Sequence, residues 1–276
     1  MKREAVVSFL KQGDPSESYG SSPVAIAPRT NDPSLRLDDH LVSLRDPNSF
    51  EAEHYRLLRH RLELFRTSAG LGVVGVTSAA VGDGKTTTAI NLAGALAQAA
   101  GSRVLLVDAD LRRPSVSERL GLGELSGPGL VDAIVDPRVR LPAIVRRGLP
   151  VNLAVLPAGD CTERPYEVLQ SPRVGELLAE SRQLYDFVVL DLPPVLVVPD
   201  CRLLATWVDG FLIVVGANKT PGKLLAEALD VLDPAKVLGL VFNGDHRPLS
   251  GYYGYYQRSG QARGEKAHWW QLGRSR

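Results

Sequence analysis

The sequence predicts an α/β domain with a doubly wound, mostly parallel sheet flanked by helices. From residue 72 onward, short apolar runs rich in β-branched residues alternate with longer stretches of helical character. The apolar runs are continuous rather than alternating, as expected for parallel strands that are covered on both faces. Strand–helix alternation of this kind is typical of open α/β sheets. Because such sheets bind ligands at the carboxyl ends of their strands, we look for chemistry in the residues that follow each strand.

The predicted elements follow one another along the chain without an internal repeat. Strands are expected at 73–77, 103–107, 151–156, 186–190, 210–215 and 237–242. Helices are expected at 85–100, 172–184, 200–207 and 221–232, with a shorter piece near 129–135.

A further helix is expected at 50–67, before the first strand. Leu58, Leu62 and Phe65 recur there at i, i+4 and i+7, which makes one apolar stripe,. Three charged residues recur at three-residue spacing and are expected on the opposite side of the helix. They are Glu53, Arg56 and Arg59.

The two ends of the chain differ from its middle. Residues 12–48 are rich in Ser, Pro, Asp and Asn, with few aromatics and no sustained period, so 1–48 is expected to be a mobile, disordered arm,. Residues 244–276 are rich in Gly, Tyr and Arg and are expected to be a flexible tail. The folded domain is therefore expected at 49–243.

Composition excludes several classes of protein. The chain has 276 residues with 32 basic and 31 acidic side chains, a net charge of +1, so it lacks the basic excess of a nucleic-acid-coating protein,. Its two cysteines cannot build a disulfide framework or a four-cysteine zinc site,. No apolar stretch approaches the length of a membrane span, and the amino terminus does not resemble a secretory signal. These observations predict a cytoplasmic protein.

A phosphate-binding loop follows the first predicted strand. The segment Ala79–Thr87 leads from that strand straight into a helix, which is the context that a phosphate loop requires,. Its glycines let backbone N–H groups turn toward phosphate oxygens, Lys85 supplies a charge at the β- and γ-phosphates, and Thr86 supplies a hydroxyl for Mg²⁺. The alternative is a glycine turn with an incidental lysine. The candidate nucleotide ligands are Gly82, Asp83, Gly84, Lys85, Thr86 and Thr87.

Two later strands end in aspartates. The second strand is followed by Asp108 and Asp110, and the fourth by Asp191. An apolar run capped by a carboxylate is how such folds present an oxygen ligand to Mg²⁺ or to the attacking group. The alternative for each is a helix cap or a turn residue. With the phosphate loop they predict a P-loop NTPase fold that binds a nucleotide with Mg²⁺, and the candidate metal ligands are Thr86, Asp108 and Asp191.

The segments Ala79–Thr87, Val104–Arg112 and Phe187–Pro194 together resemble the Walker A, Walker A′ and Walker B motifs of the bacterial tyrosine kinases, the autokinases of capsule and exopolysaccharide assembly. The resemblance covers about residues 50–256. Two departures stand out: Leu192 replaces the usual Thr of the third motif, and Val81-Gly82-Asp83 replaces Pro-Gly-Glu.

The resemblance also implies roles for residues outside these motifs. Glu53, Arg56 and Arg59 look like the family's E-x-x-R-x-x-R helix, which mediates ring-like self-association; a solvated helix surface is the alternative. Asn243 matches a residue placed near the nucleotide base. A tyrosine cluster looks like the family's site of autophosphorylation in trans, although an edge strand with packed aromatics is the alternative. Its members are Tyr252, Tyr253, Tyr255 and Tyr256.

The expected activity is that of an ATP- and Mg²⁺-dependent protein-tyrosine autokinase that controls polysaccharide polymerisation or export. Asp108 or Asp110 is expected to accept the phenol proton, while Lys85 and Arg112 stabilise charge on the transferred phosphoryl group. The resemblance implies three partners: an integral-membrane activator of the chain-length-determinant type, further copies of the chain, and a phosphotyrosine phosphatase. The protein is then expected at the inner face of the cell membrane, and no nucleic acid is expected.

A second hypothesis is an ATPase switch of the partitioning or site-placement class, which phosphorylates nothing. Such ATPases carry a signature lysine five residues before the phosphate-loop lysine, and that position is Ala80 here. The absence of this lysine and the presence of the tyrosine cluster favour the kinase hypothesis.

Overall fold

The structure is a computed structural model that describes residues 36–122, 127–149, 151–160 and 164–244. The chain divides after Asn243 into a compact unit and a second unit, of which only Gly244 is described. The described residues of the compact unit form six strands, with bounds β1 Val73–Ser78, β2 Val104–Asp108, β3 Leu153–Leu156, β4 Phe187–Asp191, β5 Gly210–Gly216 and β6 Val237–Asn243.

Ten α-helices are described around these strands. They are α1 Val42–Arg45, α2 Phe50–Ala69, α3 Lys85–Ala97, α4 Val116–Arg119, α5 Leu130–Val135, α6 Leu141–Ile144, α7 Pro165–Leu169, α8 Arg173–Leu184, α9 Asp200–Leu204 and α10 Gly222–Val231. A 3-10 turn, Pro234–Lys236, precedes β6. All the predicted strands and helices are confirmed to within a few residues at their ends.

The strands form one parallel sheet in the order β3-β2-β4-β1-β5-β6. Successive side chains of each strand enter cores on opposite faces: Leu105 packs with α5 to α10, whereas Leu106 packs with α1 to α4,. The prediction of a doubly wound, mostly parallel sheet is therefore confirmed. Within the residues described, no helix is long and apolar enough to cross a bilayer.

The amino-terminal arm ends earlier in the chain than the sequence predicts. The prediction placed residues 36–48 in a mobile segment, whereas Leu41 is fully buried and Leu44 is 6% exposed against α3. Asn91 of α3 fixes this segment, because its side chain accepts a hydrogen bond from the Ser43 N–H and donates one to the His40 carbonyl, both at 2.9 Å. The two leucines supply the apolar area that orders an otherwise polar segment.

Helix α2 also departs from the prediction in one respect. Leu58 and Leu62 are buried, as their spacing predicts, and Ser49 caps the helix by accepting a hydrogen bond from the Ala52 N–H. Arg59, however, lies on the flank of this stripe and donates a hydrogen bond to the Ala95 carbonyl of α3 at 3.1 Å. Arg59 and Leu62 are three residues apart and so are neighbours on the helix surface, which places Arg59 within reach of α3.

Candidate functional site

The register of the sheet brings the predicted acidic strand ends together. In the ladder between β2 and β4, Asp108 lies directly opposite Asp191, and in the neighbouring ladder Val76 of β1 also lies opposite Asp191. The phosphate loop leaves β1 at this same edge. The carboxyl ends of three adjacent parallel strands therefore form the floor of one site.

Lys85 lies between two carboxylates. Its ammonium nitrogen is 2.9 Å from Asp110 Oδ2 and 3.2 Å from Asp191 Oδ1, and its side chain is 13% exposed. Burial by itself would lower the pKa of Lys85, but the Asp191 and Asp110 carboxylates outweigh it and raise that pKa,. The lysine is therefore charged, and the two carboxylates fix its ammonium at the floor of the site.

Thr86 and Asp191 form the second contact of the site. The Thr86 hydroxyl donates to Asp191 Oδ2 at 2.7 Å, and it accepts from the Lys85 ammonium at 3.2 Å and from the Ser115 hydroxyl at 3.3 Å. Asp191 has no exposed area and Thr86 is 6% exposed. The hydroxyl and the carboxylate are therefore hydrogen-bonded to each other at a buried position.

Asp108 carries the one unsatisfied carboxylate oxygen of the site. Its Oδ2 accepts hydrogen bonds from the N–H groups of Ser115 and Val116, both at 3.0 Å, whereas its Oδ1 is buried without a partner in the described part of the chain. Each carboxylate oxygen of Asp110 and Asp191 accepts a hydrogen bond. Burial, and then the nearby Asp191 carboxylate, raise the pKa of Asp108 to about 7,.

The donor set of this floor suits Mg²⁺. Magnesium binds one or two carboxylates together with waters and substrate phosphates, and rarely a cage built by the protein alone. The described residues accordingly contain no cluster of three or more His, Cys, Asp or Glu side chains that could hold a metal by themselves. The Thr86–Asp191 pair, with Asp108 opposite Asp191 in the sheet, fits an ion that completes its coordination with nucleotide oxygens, and the unpartnered Asp108 Oδ1 stays available to a substrate proton.

The phosphate loop has the backbone that the sequence predicts. Gly82 and Gly84 have φ of 80° and 90°, which only glycine adopts without strain,. The Asp83 side chain, however, turns away from the loop's interior: it is 1% exposed, and its oxygens accept from the Ala80 N–H and the Thr220 hydroxyl. The Asn243 amide donates to the Asp83 carbonyl at 3.0 Å.

Other predicted residues lie at the rim of the site. The Thr87 hydroxyl accepts from Arg119 at 3.3 Å. Arg112 forms a bidentate ion pair with Asp200, in which Nε donates to Oδ2 at 3.0 Å and Nη2 donates to Oδ1 at 3.1 Å. Asp200 has no exposed area. Leu192, where the related motif usually has Thr, is fully buried in the sheet core.

The predicted self-association residues have partners within the chain. Arg56 contacts the Glu53 carboxylate, the Pro47 carbonyl and the Asn48 side chain, and Arg59 contacts Ala95 as described above. The tyrosine cluster, Tyr252, Tyr253, Tyr255 and Tyr256, lies outside the described residues.

Three side chains near the site are missed by the sequence analysis. Lys219 and Thr220 are the third and fourth residues after the end of β5, so the rule that chemistry follows strand ends could have found them,. Asp200 begins α9, and no motif marks it. Its role emerges only from its pairing with Arg112, which is distant in sequence.

Comparison with known proteins assigns the fold and motifs to a family. A family model described as an AAA domain matches residues 73–221. The tyrosine-protein kinase YwqD of Bacillus subtilis is 34% identical over 223 residues, which are 80% of this chain and 92% of YwqD. The succinoglycan biosynthesis transport protein ExoP of Rhizobium meliloti is 31% identical over 227 residues, which are 78% of this chain and 28% of ExoP. The chain thus spans most of the first relative and less than a third of the second.

Solved structures agree with these relatives. The kinase domain of the Escherichia coli tyrosine kinase ETK has a TM-score of 0.68 at 26% identity, covering 77% of this chain and 83% of that domain. The cell-division ATPase MinD of Pyrococcus furiosus has a lower TM-score of 0.53 at 25% identity, covering 64% of this chain and 73% of MinD. The kinase hypothesis is therefore favoured over the ATPase switch at the level of family. With its phosphate loop and its acidic strand ends in place, the chain belongs to the bacterial tyrosine-kinase family and carries that family's P-loop domain.

Proposed function

We propose that the protein is an ATP-dependent protein-tyrosine autokinase that phosphorylates its C-terminal tyrosines in trans and regulates the polymerisation and export of an exopolysaccharide or capsule. The observation that carries the proposal is the unpartnered Asp108 Oδ1, buried beside Lys85 and the Thr86–Asp191 pair. Family membership supports the reaction type, and the names of YwqD and ExoP support the combination of kinase activity with polysaccharide transport.

In the proposed reaction, the phenol oxygen of an acceptor tyrosine forms a bond to the γ-phosphorus of ATP. The bond from that phosphorus to the β–γ bridging oxygen breaks, and ADP leaves. A tyrosine phenol has a pKa of about 10, so its proton must pass to an acceptor as the new bond forms. Asp108 accepts this proton, because its Oδ1 has no competing donor, whereas Lys85 and the Arg113 N–H occupy the oxygens of Asp110.

The remaining residues at the floor of the site stabilise the negative charge of the ATP phosphates. Mg²⁺ would be held by Thr86 and Asp191, with Asp108 adjacent, and would neutralise charge on the phosphate oxygens. Lys85 exchanges its contacts with Asp110 and Asp191 for the β- and γ-phosphates when ATP enters. Both states surround the ammonium with negative oxygens, so this exchange does not require deprotonation of the lysine.

Arg112 is the proposed second cation of the reaction. It stabilises charge on the transferred phosphoryl group, and Asp200 restricts the positions that its guanidinium can take,. The nucleotide contacts proposed for Gly82, Gly84 and Thr87 come from the backbone and hydroxyl of the loop. The Asp83 and Asn243 side chains contribute by holding that loop, as their contacts indicate.

The proposed assembly has several members. Copies of the chain associate in a ring through α2, with Glu53, Arg56 and Arg59 at or near the contact, so that one copy's tail, Tyr252, Tyr253, Tyr255 and Tyr256, reaches another copy's site. A separate integral-membrane activator holds the protein at the inner face of the membrane, and a phosphotyrosine phosphatase reverses the reaction. The acceptor sites and these partners follow from family resemblance.

A phosphorylation assay tests the proposal. The protein is incubated with ATP and Mg²⁺, with and without the cytoplasmic segment of a candidate membrane partner, and phosphotyrosine is measured by intact mass and by antibody. Phosphate on the tail should be lost in Lys85→Met, in Asp108→Asn and in a variant with the four tail tyrosines changed to Phe. ATP hydrolysis without phosphotyrosine under every condition would instead support the ATPase switch.

A further inference from the structure

Side chains from two other strand ends hold the phosphate loop from outside. Lys219 follows β5, and its ammonium donates to the Gly82 carbonyl at 2.8 Å. Asn243 ends β6, and its amide donates to the Asp83 carbonyl at 3.0 Å. Two consecutive carbonyls of the loop are therefore fixed by donors that belong to neither the loop nor its helix.

These contacts determine where the N–H groups of the loop point. A trans peptide is planar, with its C=O and N–H directed to opposite sides, and the peptides described here are trans,. Because the Gly82 and Asp83 carbonyls face Lys219 and Asn243, the N–H groups of Asp83 and Gly84 face the opposite side. Neither N–H donates to an acceptor among the described residues. Adjacent, free N–H groups on the inner side of such a loop form the cavity that binds phosphate.

The glycines permit this close approach from outside. A Cβ on Gly82 would lie 2.8 Å from the Lys219 nitrogen, and a Cβ on Gly84 would lie 1.8 Å from the Asn243 nitrogen. Both distances are too short for any other residue to keep these contacts unchanged. Gly84 is thus favoured by the position of Asn243 as well as by its positive φ, whereas at Gly82 the flexible Lys219 side chain would have to move.

The Asp83 carboxylate makes a third connection between the phosphate loop and the rest of the fold. One oxygen accepts from the Ala80 N–H at 3.0 Å, and the other accepts from the Thr220 hydroxyl at 2.7 Å. The same hydroxyl accepts from the Gly216 N–H of β5 at 3.2 Å. The loop is consequently tied to the end of β5 at two neighbouring residues.

Lys219 differs from Thr220 and Asn243, the other residues that contact the loop from outside, because it is exposed and charged. Asn218 precedes it with φ of 58°, and a left-handed Asn gives the tight turn that aims the next two side chains at the loop,. Among the described residues, no carboxylate lies within ion-pair distance of the Lys219 ammonium. Within the described ranges, the Lys219 ammonium donates to the Gly82 carbonyl of the phosphate loop.

We propose that Lys219 is a positioning residue for nucleotide binding. Its ammonium orients the Gly82–Asp83 peptide so that the Asp83 N–H faces the phosphates, and it adds positive potential to a loop that has Ala80 where related ATPases have a lysine. This inference rests on the proposed function only in requiring that the loop bind ATP. It adds the segment after β5 to the nucleotide site, beside the ends of β1, β2 and β4.

The test compares the affinity of the full-length protein for MgATP and MgADP before and after Lys219→Met, which removes the charge and keeps the apolar stem. We expect affinity for both nucleotides to fall about tenfold, since one hydrogen bond from a charged group is lost. Lys219→Arg should restore most of it. Lys223→Met is the matched control, because this lysine on α10 is 90% exposed and lies 3.9 Å from Glu227 rather than on the loop.

Two further readouts separate positioning from folding. The thermal midpoint of the nucleotide-free protein should be the same for Lys219→Met and the unsubstituted chain, because the side chain is exposed. In the kinase assay, the KM for ATP should rise while kcat changes little, as expected when an interaction made equally in the ground and transition states is removed.

The outcomes are distinguishable. Unchanged nucleotide affinity in Lys219→Met, with the unsubstituted protein binding normally, would overturn the inference alone. An equal loss in Lys223→Met would show that only overall charge matters and would overturn it as well. An unsubstituted protein that binds no nucleotide would overturn both the proposed function and this inference.

Discussion

Both carboxylate oxygens of Asp200 accept hydrogen bonds from the Arg112 guanidinium, at 3.0 and 3.1 Å, at a position where Asp200 has no exposed area. Arg112 lies two residues after Asp110, in the segment that follows β2, whereas Asp200 begins α9 after the segment that follows β4. The pair therefore joins the segment that follows β2 to the helix that comes after β4, the two strands that end in Asp108 and Asp191.

If Asp200 acts on phosphorylation through Arg112, the two substitutions should not be additive. Asp200→Asn and Arg112→Ala should each lower kcat by about a hundredfold, and the double variant should be no slower than Arg112→Ala alone. Stability should behave differently: Arg112→Ala should be the less stable single variant, because it leaves a buried carboxylate unpaired, and adding Asp200→Asn should recover part of the loss. Additive losses in kcat would contradict the coupling.

Replacing Gly84 should damage nucleotide binding more than folding. Gly84→Ala requires a Cβ at φ of 90° and 1.8 Å from the Asn243 nitrogen, so Asn243 must leave the Asp83 carbonyl. We expect a loss of at least about tenfold in MgATP affinity, with about 1–2 kcal/mol of destabilisation from the left-handed backbone. Affinity is measured by titration with a fluorescent ATP analogue.

Gly222→Ala is the control for that substitution. Gly222 begins α10, and a Cβ there would meet nothing within 4 Å. Alanine is the better helix former, so stability should be equal or slightly higher and affinity unchanged. Equal affinities of the two alanine variants would show that the Gly84 backbone is not needed for binding.

Asp209 should make stability depend on pH in the acid range. Burial tends to raise its pKa, but hydrogen bonds from Arg182 and from the N–H groups of Val73 and Gly72 outweigh burial and lower that pKa below the ordinary value of about 3.9,. Since the folded pKa is the lower one, the contribution is complete above about pH 4–5 and is lost as pH falls through the folded pKa. Asp209→Asn should therefore reduce the free energy of unfolding by about 1–3 kcal/mol at pH 7.

Urea unfolding at several pH values measures this difference. The gap between Asp209→Asn and the unsubstituted protein should narrow steadily below about pH 4. Asp230→Asn, at an exposed position of α10, should show little effect at any pH. A gap for Asp209→Asn that stayed constant from pH 7 to pH 3 would contradict the assignment.

The segment before α2 should contribute to global stability. Leu41→Ala removes a fully buried side chain that packs against α3, and we expect about 2–4 kcal/mol of destabilisation in denaturant unfolding,. Leu184→Ala, at a position 40% exposed, is the control and should cost much less. Equal and small effects of the two substitutions would mean that residues 36–48 do not dock in solution.

Much of the fold is predictable because its signals are local. Six continuous apolar runs mark the six strands, of which β1 to β5 are buried throughout while the edge strand β6 is only partly buried. Long periodic stretches mark the longer helices. The short helices α4, α6 and α7 are not predicted, since four or five residues do not complete a recognisable period. The docked segment at Leu41 is missed for another reason: two leucines in a polar stretch carry no periodicity, and their burial depends on α3.

The site is predictable to the same extent. Asp108 and Asp191 end strands that the register brings together, and Lys85 and Thr86 begin the helix after the phosphate loop, so spacing and fold class suffice to predict these four residues. The separate roles of Asp108, Asp110 and Asp191 are not predictable from the sequence. They depend on which carboxylate oxygen already accepts a hydrogen bond from the protein. The unpartnered Oδ1 of Asp108 is visible only once Ser115 and Val116 are placed against its other oxygen.

The order of the strands also constrains how the chain can fold during synthesis. The central strand β1 pairs with β4, which begins at Phe187, and with β5, which begins at Gly210. The phosphate loop therefore leaves the ribosome long before either neighbour of its own strand exists. Such distant pairings slow folding and leave apolar strand edges exposed meanwhile. Lys219 and Asn243, which donate hydrogen bonds to two carbonyls of the loop, are made later still, so a nascent chain truncated before β5 should bind ATP more weakly than the full chain.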